Sequence, residues 1–353
     1  MKPETSCFNE IETYMIGLLR YGILDVQPDR LLQSADVDWD KMMDFAAAQG
    51  LLAWVWDGIC KLPKENQPPR IKSINWGLSA QEIWDEYHVH EQVLREIIDI
   101  CLQNNIKLLL FKGIALSKFY PKPESRPSGD IDFFLFNDYE KGNFLFAKKN
   151  VSKTNKRTGF DYKGVHIENH RIFLNAYTEL QVNALSYLEE SLNDVFKTAE
   201  GYYVMSPITC IVYQVMHLIA HVIDVTNPAS MRLIVDVGMT LIYYRDEVNA
   251  NDLKEVLIRL KIVDFFTLVV GCAEVILRKD FSYYKFEQVS ADDIQVMFKL
   301  LMSLDDCFVP VPERPFGYRV HYYISNFKSY YSVLKYIPSM RNRFLKKAVE
   351  VIF

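Results

Sequence analysis

The stretch Arg126-Pro127-Ser128-Gly129-Asp130-Ile131-Asp132-Phe133-Phe134-Leu135 decides how this chain is read. Ile131 to Phe136 is a short, nearly continuous apolar run of the kind that makes a buried strand. On a strand, residues i and i+2 share a face, with Cα atoms roughly 6.5 Å apart. Asp130 and Asp132 therefore project together, while Ile131 and Phe133 turn to the other face. Two convergent carboxylates can share a divalent cation, which is what metal-assisted phosphoryl or nucleotidyl transfer requires. Carboxylate oxygens suit Mg²⁺ or Mn²⁺ rather than a soft metal. An isolated Asp-x-Asp on a strand edge is common, so the reading depends on its surroundings.

Upstream, Ile106 to Phe111 reads as another buried strand, Lys112-Gly113 as a turn, and Ile114 to Tyr120 as a helix. Glycine permits close backbone approach, and a helix start offers free N–H groups to a phosphate. Lys112 adds a point charge, and Arg126, in a proline-bounded loop, offers a planar fork to the same anion. Downstream, Gly164 to His170 alternates, placing His166, Glu168 and His170 on one face and Val165 and Ile167 on the other. Glu168 is suited to be a third carboxylate, and also a base for an incoming hydroxyl. The plain alternative is a solvated polar face. His-x-Glu-x-His is a zinc pattern too, but no further ligand lies nearby in sequence.

Around this core the chain reads as helical. Apolar residues recur at helical spacing from Asn9 to Lys61, and Pro63 to Pro69 breaks the pattern. A long helix is expected from Ser79 to Asn104, with Ser79 and Glu82 as its capping box. Tyr162 to Phe173 reads as one alternating strand and Glu179 to Val182 as a further short one. After Pro207 the segments 207–224, 229–246, 250–261, 263–278 and 291–303 each predict a helix. The expected organisation is an N-terminal helical region over 1–78, an α/β core over 79–205 and a C-terminal helical domain over 206–353.

Two other clusters invite chemistry and yield blander readings. His217 and His221 share a helical face, with Asp224 below and Arg232 and Asp236 beyond. The metalloprotease pattern needs Glu after the first His, and that position is Leu218, so structural histidines are expected. Lys328, Lys335, Arg341, Arg343, Lys346 and Lys347 interleave with Tyr322, Tyr323, Phe327, Tyr330 and Tyr331, which reads as an amphipathic helix with a solvated basic face.

With 353 residues, 40 Lys plus Arg and 45 Asp plus Glu, the net charge of -5 supplies no global field for nucleic acid or an anionic membrane. The six cysteines show no CxxC spacing, and several sit in apolar runs, as reduced buried thiols do. Phe265 to Ala273, the most apolar stretch, is far short of a membrane span, and no signal-like leader opens the chain. The expectation is a soluble, cytoplasmic protein.

Phe111-Lys112-Gly113-Ile114-Ala115-Leu116, Arg126 with Gly129 to Leu135, and His166-Ile167-Glu168-Asn169-His170 together resemble the uncharacterised bacterial nucleotidyltransferases of the NTP_transf_5 type, within the polymerase-β-like superfamily. His217, His221 and Met231 to Asp236 resemble that family's helical tail, and the likeness runs over roughly residues 5 to 300. The resemblance implies an α+β fold: a small mixed β-sheet nucleotidyltransferase core flanked by N-terminal helices and a C-terminal helical domain. It implies Asp130, Asp132 and Glu168 as catalytic and metal-binding residues, with Mg²⁺ or Mn²⁺ as cofactor. Lys112, Gly113, Arg126, Ser128, Gly129 and His170 become the nucleotide-binding residues. The implied partners are an NTP, with ATP foremost, and an unidentified hydroxyl or phosphate acceptor, with pyrophosphate released. A catalytically inactive nucleotide- or partner-binding module on the same fold is the alternative. One departure stands out: the superfamily's usual Gly-Gly or Gly-Ser is Lys112-Gly113 here, so one small phosphate contact is missing or is taken over by lysine.

Overall fold

A computed structural model describes residues 8–223, 229–302 and 329–352. The chain folds as two compact units, Met1–Ala80 with Gln214–Phe353, and Gln81–Tyr213. In the first, α1 (Glu10–Leu24) starts at a true capping box, where the Asn9 side chain accepts from Glu12 N at 2.9 Å and the Glu12 carboxylate accepts from Asn9 N at 2.8 Å. Next come α2 (Trp39–Ala48), α3 (Leu52–Cys60) and the start of α4 (Arg70–Gln103), whose residues from Gln81 on belong to the second unit. The expected start at Ser79 is corrected: α4 begins directly after Pro68-Pro69, which leaves Ser79 and Glu82 in mid-helix. Proline is well tolerated at a helix start, and Trp76 and Ala80, four residues apart, are both fully buried, so tertiary packing extends the helix backwards.

Helices α1 and α3 touch backbone to backbone through glycine. A Cβ at Gly58 would lie 2.0 Å from the Leu18 carbonyl oxygen, and one at Gly22 2.0 Å from that of Trp54. Gly58→Ala should therefore destabilise the protein by about 1–3 kcal/mol or more in urea unfolding. Gly129→Ala, where nothing lies within 4 Å of the added carbon, serves as the control. Equal midpoints for the two variants would refute the close contact.

The second unit carries a seven-stranded mixed sheet in the order β3-β4-β5-β2-β1-β7-β6. Its strands are β1 (Leu109–Leu110), β2 (Ile131–Phe134), β3 (Lys149–Lys153), β4 (Arg157–Tyr162), β5 (Val165–His170), β6 (Phe196–Lys197) and β7 (Tyr203–Val204). Between them lie α5 (Gly113–Ser117), α6 (Tyr139–Phe146) and α7 (Glu179–Glu190). Ile131, Phe133, Phe160, Val165 and Ile167 face one layer, packing with Val93, Ile97 and Cys101 of α4 and with Phe146 of α6. The opposite face has an aromatic cluster of Phe111, Phe173 and Tyr213, joined by Leu109, Leu188 and Met205.

The sheet is wider than the expected run of strands. The long alternating strand from Tyr162 is really a hairpin arm. Lys163 (φ 51) and Gly164 (φ 87) make a tight turn that pairs β4 with β5. The strand expected at Glu179 to Val182 is the first turn of α7. Thr178 caps it by accepting from Gln181 N, and Leu180, Ala184 and Leu188 bury at four-residue spacing.

Past the sheet the predicted helices appear as α8 (Pro207–Ile223), α9 (Met231–Tyr243), α10 (Ala250–Arg259), α11 (Val263–Leu277) and α12 (Ala291–Met302). Near the C-terminus a helix spans Arg341–Ile352, with Phe344 buried and stacked on Tyr330 at 4.9 Å. Asp224, Tyr322, Tyr323, Phe327 and Lys328 lie outside the described residues. No helix among the described residues is long and apolar enough to cross a membrane.

Candidate active site

Register brings the acids together. β2 and β5 are parallel neighbours with Asp132 beside Glu168 and Phe134 beside His170. β4 runs antiparallel on the far side of β5, setting Arg157 opposite His170 and Gly159 opposite Glu168. Directly paired residues share a face, so Asp132, Glu168, His170 and Arg157 converge away from the α4 layer.

The contacts form a chain of charge. Lys112 Nζ donates to Asp132 Oδ1 at 2.6 Å, and His170 Nε2 lies 2.7 Å from the same oxygen. That Nε2 is also 3.2 Å from Glu168 Oε2, while Glu168 Oε1 accepts from Arg157 Nε at 2.7 Å. Donor atoms of Asp132, Glu168 and His170 all lie within 4.8 Å of one another, and all three residues are buried. Their geometry and hard oxygen donors fit a divalent cation. His170 Nδ1 is buried with no acceptor among the described residues. We therefore assign the imidazole proton to Nε2, where it serves two carboxylates, and the ring packs edge-on against Phe111 at 5.0 Å.

Electrostatics separates the two aspartates. Burial opposes the charge of Asp132, but the Lys112 ammonium and His170 outweigh it and hold this carboxyl well below the usual range. Asp130 is half-buried just before β2. Burial and then the Asp132 carboxylate push its pKa up to about 6, against the pull of Lys112. Asp130 lies outside the tight three-residue cluster but within electrostatic reach of Asp132, Lys112, Glu168 and His166.

Lys112 is the unusual residue. Its backbone stands at φ 60, ψ -167, a region that is essentially glycine's and that costs any other residue about 1–3 kcal/mol. Its side chain is only 14% exposed and is hydrogen-bonded to the fully enclosed Tyr213 hydroxyl as well as to Asp132. Gly113 follows at φ 38, and a Cβ there would come within 2.8 Å of Ser128 Oγ and 3.0 Å of the Asp130 carbonyl. Glycine thus lets the 126–130 loop close onto the turn. Arg126, buried, donates from Nη1 to Gly113 O at 2.7 Å and to Pro127 O at 3.3 Å. Ser128 Oγ donates to Asp130 O at 3.1 Å, and Gly129 is exposed.

The remaining histidines lie outside the buried three-residue cluster. His166 is exposed and lies 3.1 Å from Asp161. His217 and His221 on α8 approach each other at 3.2 Å between Nε2 atoms, but among the described residues no third His, Cys, Asp or Glu completes a metal-competent group with them. Sequence reasoning missed Arg157, Tyr213 and Lys156. Half-buried Lys156 precedes Arg157, and its pKa is pushed down to about 8 by burial and by the charges of Lys112 and Arg157. The signal that could have found Arg157 is the Lys163-Gly164 turn, which fixes the register of β4 on β5.

No curated protein and no solved structure matches the chain. One family model does, described as uncharacterised nucleotidyltransferase, over residues 35–278. That span holds every strand and every site residue above and exceeds half of the chain, so the protein belongs to this nucleotidyltransferase family.

Proposed function

We propose that the protein transfers a nucleoside monophosphate from an NTP, ATP foremost, to a hydroxyl or phosphate acceptor and releases pyrophosphate. The observation that carries this is the pair of buried carboxylates, Asp132 and Glu168, placed side by side on adjacent parallel strands. Asp130, Asp132 and Glu168 would hold Mg²⁺ or Mn²⁺, which when bound neutralises polyphosphate charge and orients the reacting oxygens. Lys112 lies beside these acids and supplies a cation to the polyphosphate, and Gly113 with the 126–130 loop shapes the wall beside it. The acceptor oxygen bonds to the α-phosphorus, the bond to the β-phosphate oxygen breaks, and the acceptor proton goes to a carboxylate. Glu168 was the sequence's candidate for that base, but Arg157 and His170 engage both its oxygens.

The test pairs isothermal titration of ATP with Mg²⁺ against a pyrophosphate-release assay run with each NTP. Release dependent on Asp132 supports transfer. Binding without release supports the inactive module, a reading favoured by one observation: the cluster's oxygens already have protein cations as partners.

Cation affinity should depend on pH through Asp130. An acid whose pKa is raised to about 6 holds its proton below that pH, and a cation must displace it. Mn²⁺ affinity in the presence of a non-hydrolysable ATP analogue should be level above about pH 6.5. Below about pH 6 it should fall by roughly tenfold per pH unit. An affinity unchanged down to pH 5 would remove Asp130 from the metal set.

A further inference from the structure

A second site lies in the helical unit, independent of the sheet. A pocket of about 360 Å³ opens beside α1, lined by Phe8, Tyr14, Gly17, Pro28, Leu32 and Arg20 among others. That volume is at the small end for ligand sites. Most of the lining is apolar, and Tyr14 and Leu32 are buried. Its polar members are Glu10, Thr13, Asp29, Arg30 and Arg20. Arg20 is 4% exposed, and its Nη1 is buried with no hydrogen-bond acceptor among the described residues.

The nearby acids are committed to other cations. Glu10 pairs with Arg30 at 3.2 Å, and Asp29 pairs with Arg278. Burial and the neighbouring Arg278 charge push the Arg20 guanidinium down to about 10, with Asp29 only partly opposing them. A buried guanidinium with an unmet donor is costly unless something pairs with it. With Glu10 paired to Arg30 and Asp29 to Arg278, Arg20 is the cation these two pairs leave over in a lining whose surface is mostly apolar.

We infer that this pocket binds a small monoanion with an apolar body, a medium-chain carboxylate in kind, whose carboxylate pairs with Arg20. A phosphate dianion fits less well, because it would bring two charges to one guanidinium close to Asp29 and Glu10 and leave the apolar lining unfilled.

The test uses the full chain and three probes in isothermal titration: sodium octanoate, 1-octanol and inorganic phosphate. Octanoate should saturate a single site, 1-octanol should bind at least tenfold more weakly, and phosphate should give no saturable heat. Arg20→Met should lower octanoate affinity to the level of octanol and leave octanol unchanged. Equal affinities of octanoate and octanol for the wild type would overturn the ionic contact, and Arg20-dependent phosphate binding would overturn the amphipathic class. No saturable octanoate binding would remove the site. Should Arg20→Met fail to fold, hydrogen exchange on the wild-type protein decides the location. Octanoate should slow exchange over residues 10–24, and protection confined elsewhere would refute the assignment.

Discussion

Asp132→Asn should lose nucleotidyl transfer by at least roughly a hundred- to a thousandfold and unfold earlier, whereas Asp130→Asn should lose activity and unfold later. The opposite signs come from the opposite electrostatics of the two acids. Asp132 is 2% exposed and carries the counter-charge of Lys112. Removing one partner of a buried ion pair leaves the other uncompensated and costs about 3–5 kcal/mol. Asparagine keeps a neutral oxygen for His170, so the lower end is expected. Asp130 is penalised when ionised. With its pKa raised to about 6, the folded state binds its proton more tightly than the unfolded chain does, and stability falls as pH rises from about 4 through 6. Asparagine abolishes that penalty, worth about 1–3 kcal/mol at pH 7.5 and shrinking below pH 5. Thermal melts at pH 7.5 and 5.0, beside pyrophosphate release, read both effects. Asp132→Asn activity within tenfold of wild type would take this carboxylate out of the catalytic set.

Replacing Lys112 should separate charge from backbone. Lys112→Met and Lys112→Gly both remove the ammonium. Each should weaken ATP binding by about ten- to a hundredfold, the equivalent of a charge-assisted contact of roughly 1.5–3 kcal/mol. AMP, lacking the β- and γ-phosphates, should change much less. An equal loss for both nucleotides would move Lys112 off the distal phosphates, and no loss for either would confine it to holding Asp132. The two variants should differ in stability. Only glycine takes φ 60, ψ -167 without strain, so Lys112→Gly should be the more stable, by about 1 kcal/mol or more in urea.

Short-range patterns carried much of this architecture. The alternation from Val165 to His170 set Glu168 and His170 on one face, which the sheet register brings beside Asp132, and helical periodicity from Pro207 onward placed α8 to α12 within a few residues. Hidden were features that depend on distant partners. Arg-Thr-Gly-Phe-Asp-Tyr, residues 157 to 162, is too polar to announce a central strand, and it earns that place by pairing with β5. Ser79 and Glu82 have a capping sequence but no helix end to cap, since buried Trp76 carries the helix past them. Lys112 meets Asp132 across 20 residues, and Arg126 spends a donor on the backbone of Gly113. Neither contact has a local signature.

The salt bridges of Lys112 and Arg157 also bear on the order in which reactants arrive. With an ammonium on Asp132 and a guanidinium on Glu168, the resting cleft presents little net negative potential, so a free divalent ion gains little by entering alone. A polyphosphate arriving with its own counter-ion brings both what Lys112 can grip and what the acids can coordinate. Under the proposed function, substrate recognition and cofactor loading would become a single event. Velocity should then track the concentration of the metal–nucleotide complex, and free Mn²⁺ titrated without nucleotide should bind at least tenfold more weakly than with it.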